Sequence, residues 1–121
     1  MSPLLRLLMR LLKPVFWLLL AITTFLMLIE LKPQAAGYIY ADKLQHIVVF
    51  FMLTLIGLYA YPFKKWVVIT GLILFGLLIE LSQSAFTLSR QASLADWIAD
   101  VIGLILALSL ATLIKKTFKI N

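Results

Sequence analysis

Cysteine is absent from this sequence, which excludes disulfide bonds and thiolate chemistry. Acids are scarce: five Asp and Glu stand against eleven Lys and Arg, and there is a single histidine, His46. No H-E-x-x-H, glycine-rich phosphate loop or G-x-S-x-G occurs, so no zinc-protease, nucleotide or serine-hydrolase signature applies. There is no internal repeat, no low-complexity tract and no polar stretch long enough for a soluble domain. A basic polar surface is missing too. The net charge of +6 comes from bases dispersed around apolar runs, which argues against nucleic acid as a partner.

What remains is apolar. Of 121 residues 64% are hydrophobic, and the mean hydropathy is +1.08, whereas a soluble domain of this length is about half apolar. The composition predicts an all-α integral membrane protein. It has room for one domain over residues 1–121, a bundle of four transmembrane helices in the lipid bilayer.

Residues 2–13 set Arg6, Arg10 and Lys13 on one helical stripe among leucines. They read either as an amphipathic interfacial segment or as anchors of the first span, snorkelling to headgroups. Pro14 starts a new run, and the first span is expected over residues 15–31. A signal peptide is the rival reading of this segment. The apolar run is at the upper limit for one and no A-x-A site follows, so the segment is expected to stay in the mature protein. Glu30 to Ala41, with Pro33, Gly37 and two tyrosines, reads as a connection at headgroup level. The second helix is expected over 42–61, the third over 66–83 and the fourth over 94–114. Phe63-Lys64-Lys65 leaves room only for a tight turn between antiparallel neighbours.

Eight bases (Arg6, Arg10, Lys13, Lys64, Lys65, Lys115, Lys116 and Lys119) fall on the side of the termini and the middle loop. Only Lys32, Lys43 and Arg90 fall on the other. The positive-inside rule therefore predicts that both termini are cytoplasmic. All five acids (Glu30, Asp42, Glu80, Asp96 and Asp100) then lie toward the outer side, where the polar work is expected.

Three groups of residues carry that expectation. Asp42 and His46 are four apart and share a helix face, continued by Phe50, Leu53 and Gly57, with Lys43 adjacent. Asp42 as an N-cap beside a carboxylate-satisfied His46 is the plain reading. In a span, an ionisable residue more often faces a bundle interior and marks a site. Glu80 and Gln83 share a face at the end of the third helix, where Glu80 either reaches for headgroups or joins the site. Gly76 lies four residues before Glu80, where it would let another backbone approach. Ser93 and Asp96 match a capping box. Asp100 lies beyond the first turn, where capping does not explain it. Asp96, Asp100, Gly103, Ala107 and Ala111 form one stripe, whose small residues suit close helix packing.

Asp42, Glu80, Asp96 and Asp100 outnumber Lys43 and Arg90 by two, so close packing would call for a bound proton or cation. Two chemistries compete. Arg90, Lys43 and His46 suit an anionic headgroup such as a phosphate. The carboxylates with His46 suit a divalent metal ion, His46, Asp96 and Asp100 being the candidate ligands.

Asp42-Lys43 with His46 and Phe50, Glu80 with Gln83, Arg90 with Ser93 and Asp96, and Gly103 together resemble the VanZ-like family of small bacterial membrane proteins. The similarity covers roughly half the chain. Asp100 departs from the pattern, which usually has Asn there; an ionised Asp only accepts hydrogen bonds, so a neutral-amide role is not carried over. The resemblance implies a multi-pass protein of the bacterial cytoplasmic membrane with its functional face outside. One branch of the family is linked to reduced glycopeptide sensitivity.

The leading expectation is a polar pocket opening outward that binds an anionic headgroup, such as a lipid-linked cell-wall intermediate. Lys43 and Arg90 would contact the anion, Asp42 would orient His46, and Glu80, Gln83, Ser93, Asp96 and Asp100 would build the site. The alternative is an intramembrane hydrolase or transferase acting on a phosphate-containing headgroup. There His46 would be base or nucleophile, and Asp42 and Glu80 the catalytic acids. A purely structural assembly and a small ion carrier also fit the composition.

Overall fold

The apolar runs form four α-helices in the computed structural model, which describes residues 2–28, 37–86 and 94–118, with side chains at 2–28, 43–82 and 94–117. They are α1 (Pro3–Leu28), α2 (Gly37–Ala60), α3 (Lys65–Phe86) and α4 (Leu94–Phe118). There is no strand among the described residues. Each helix has 22 to 26 residues and so runs about 33 to 39 Å, against a hydrocarbon core of about 30 Å. All four are long and apolar enough to cross a membrane.

The expected break at Pro14 does not occur. Residues 2–13 and the first span are one continuous helix with Pro14 inside it. Proline removes a single intrahelical hydrogen bond, and an apolar helix with no competing polar surface continues through that loss. The start is well made. Ser2 Oγ accepts from the Leu5 amide at 3.1 Å and Pro3 takes the first helical position, where no N–H is needed.

Other boundaries also shift. Helix α2 begins at Gly37, five residues before Asp42, so Asp42 is an interior position and not the N-cap. Helix α3 runs on to Phe86 and encloses Gln83. Helix α4 starts at Leu94, where it was expected, and continues past 114 to Phe118, with Lys115 and Lys116 complementing the dipole of its last turn. The turn between α2 and α3 is as tight as the sequence implies, closed by the Lys64 amide on the Tyr61 carbonyl at 3.0 Å.

Helices α2 and α4 form the closest pair and run parallel. Lys43 meets Asp96, His46 meets Asp100 and Ile47 meets Gly103, so the contacts advance together along both helices. At Gly103 the backbones touch, and a Cβ there would lie 2.3 Å from the Ile47 carbonyl oxygen. Ala107 is fully buried and Ala111 packs on the core, so the small-residue seam lies where the stripe placed it.

Phe16, Leu53, Leu58, Val68, Ile69, Leu72 and Leu104 make the main core. A smaller cluster of Met27, Phe50 and Ile79 sits between that core and the polar end. It draws on the end of α1, the middle of α2 and the second half of α3. Leucines and other large apolar side chains cover the outside of every helix, as a lipid-facing surface requires.

Candidate functional site

The polar end is assembled from three helices. From α2 comes His46, 1% exposed, with Lys43 one turn nearer the helix start. From α4 come Asp96 in the first turn and Asp100 one turn further in, both buried. From α3 comes Glu80, 3% exposed. Glu80 therefore turns into the bundle and does not reach for headgroups. Trp97 ties the start of α4 to α3 by donating from Nε1 to the Ile73 carbonyl at 3.1 Å.

His46 Nδ1 lies 2.7 Å from Asp100 Oδ1, and both side chains are almost sealed from the surroundings. An ionised carboxylate only accepts, so facing one the ring donates from Nδ1–H. Nε2 in turn lies 3.8 Å from Asp96 Oδ2, while Asp96 Oδ1 is paired with the Lys43 ammonium. The exposed fraction of the Lys43 side chain is 31%, so it marks the rim of the cluster.

From the sequence, Asp42 is expected to orient His46. Asp100, 54 residues away, takes the Nδ1 position, and the Asp42 side chain lies outside the described residues. The proposed metal set also changes. His46, Glu80 and Asp100 each present a ligand atom, all within 4.8 Å of one another. Asp96 is drawn to Lys43, and Glu80, read from sequence as a candidate acid, takes its position. The Gln83 side chain, Arg90 and Ser93 lie outside the described residues.

Gly76 has a role the sequence placed only in part. Its nearest described neighbours are side chains: a Cβ there would lie 3.0 Å from Asp100 Oδ2 and 3.3 Å from the Phe50 ring. Its bare backbone leaves space for the carboxylate. Thr54, two turns beyond His46 on the same helix, is fully buried, and its hydroxyl has no hydrogen-bond partner among the described residues. Its i+8 spacing from His46 was the available signal.

With Lys43 and Asp96 paired, His46, Glu80 and Asp100 leave two carboxylates and one imidazole in an apolar interior. Such a group can hold a proton or a cation, and its imidazole is set for proton transfer. Two cavities of about 350 and 290 Å³ lie at the other end of the bundle, around Tyr61 and Lys64 and around Pro62 and Lys115. Neither touches these carboxylates. No protein-family model, curated protein or solved structure matches this chain.

Proposed function

We propose that this chain is a VanZ-like protein of the bacterial cytoplasmic membrane, with both termini cytoplasmic and the polar end outside. That end recognises an anionic, phosphate-bearing headgroup, with a lipid-linked cell-wall intermediate as the fitting ligand class. The convergence of Lys43, His46, Asp96 and Asp100 at one end of α2 and α4 carries this reading. Lys43 is at the rim, so an arriving phosphate competes with Asp96 for the ammonium, while the pair beneath stays fixed.

The distance between His46 and Asp100 favours a second reading. An imidazole whose Nδ1 is held by a buried carboxylate keeps Nε2 available as a general base. The protein would then be a hydrolase or transferase acting on the same headgroup. A polyprenyl phosphate and the uncharged polyprenol, offered to the protein in nanodiscs and followed by native mass spectrometry, test the first reading. Preferential retention of the phosphate, lost in Lys43→Met, is expected; equal retention of both lipids would overturn it. His46→Ala separates the two readings, because a binder weakens whereas an enzyme retains the lipid and stops releasing phosphate.

A further inference from the structure

His46, Glu80 and Asp100 come from three different helices, so neither capping nor i,i+4 pairing explains their meeting. We propose that they form a divalent metal site inside the bundle, suited to a first-row ion such as Zn2+ or Mn2+. The inference deepens the headgroup reading by naming the cation of that same site.

Geometry, charge and donor type support it together. Three ligands bound at about 2.0–2.2 Å to one ion lie about 3.3–3.8 Å from one another, so ligand atoms within 4.8 Å close on it with shifts of about 1 Å or less. Side chains of facing helices that project inward are the usual way for a helical bundle to hold a metal. Glu80 and Asp100 are both buried, so an ion here would be met by two carboxylates and one imidazole. A divalent ion offsets both without bringing further charge into the apolar interior.

The donor set chooses the ion. One imidazole with two carboxylates favours a borderline ion over Ca2+, which prefers six to eight oxygens, and over Mg2+, which keeps its waters. Three protein ligands also leave a coordination position open. Asp100 Oδ2 lies over Gly76, where any side chain would press on the carboxylate.

The test uses the full chain without a polyhistidine tag, stripped with chelator in detergent and titrated with Zn2+ and Mn2+ alone. One ion per chain is expected, with affinity at least tenfold weaker in each of His46→Gln, Glu80→Gln and Asp100→Asn. Gly71→Ala, remote from the cluster, should bind as the parent does. No binding, or binding that all three cluster variants retain, would overturn the site. X-ray absorption on the Zn2+-loaded parent protein keeps the test decisive if a variant misfolds. A shell with one imidazole nitrogen and carboxylate oxygens supports the site, and a shell without imidazole removes it. Failure of the headgroup reading is separable: an ion bound at these residues with no preference for polyprenyl phosphate over polyprenol leaves the metal site standing alone.

Discussion

At the scale of single residues, the buried ring of His46 depends on what faces its Nδ1. Asp100→Ala would leave that donor without its 2.7 Å acceptor in an apolar interior, at a cost of about 1–3 kcal/mol. Asp100→Asn keeps an acceptor for Nδ1–H and should lose less. Thermal melts in detergent should therefore rank the parent above Asn and Asn above Ala; equal melting of Asn and Ala would mean that the contact contributes nothing. Sequence reasoning placed His46 and Asp100 in one candidate site but did not make Asp100 the partner of Nδ1. Spacing along one helix reveals i and i+4 neighbours, which is why Asp42 stood out. Which helix approaches from across the bundle is decided by packing, and a partner 54 residues away leaves no periodic trace. Glu80 posed the same difficulty, since a carboxylate near a helix end serves headgroups and bundle interiors equally well.

At the scale of the helices, two glycines make opposite predictions. Gly103→Ala puts a Cβ against the Ile47 carbonyl of α2, where backbone and not a movable side chain must yield. It should cost about 1–3 kcal/mol, and Gly103→Leu more. A Cβ at Gly71 meets nothing within 4 Å, so Gly71→Ala should leave stability unchanged or raise it by up to about 1 kcal/mol through helix propensity. Denaturation of both variants in one detergent checks the contrast, and equal losses would mean that the α2–α4 crossing is looser than its geometry. The Gly-Ala-Ala stripe was legible because small residues at a four-residue spacing have one structural use in a membrane helix. Pro14 misled because its rules come from water, where a freed carbonyl can bind solvent; in a leucine-rich helix there is no such alternative and the turn persists.

At the scale of the whole molecule, the proposed orientation has all four helices crossing the bilayer, with the turn at Lys64 and the end of α4 on the cytoplasmic side. Reporter fusions at Lys64 and after Lys119 should read cytoplasmic, and one at Ser89 external. A cytoplasmic reading at Ser89 would reverse the proposed orientation and remove the extracytoplasmic site. The parallel pairing of α2 with α4 also bears on how the chain is made. His46 leaves the ribosome well before Asp100, a gap of about 3–10 s at about 5–20 residues per second. Throughout that interval Asp96 and Asp100, which meet Lys43 and His46 in the folded bundle, have not yet been made. A charge at the centre of a span costs about 2.5–3.5 kcal/mol to insert, which favours keeping this end at the interface or beside the insertion machinery. The last helix thus completes the burial of the second. A chain stopped at Ser93 should be degraded faster in pulse-chase labelling than the full chain, and Lys43→Leu with His46→Leu should restore much of its lifetime. Equal lifetimes for the stopped and full chains would show that α2 settles in the membrane without waiting for α4.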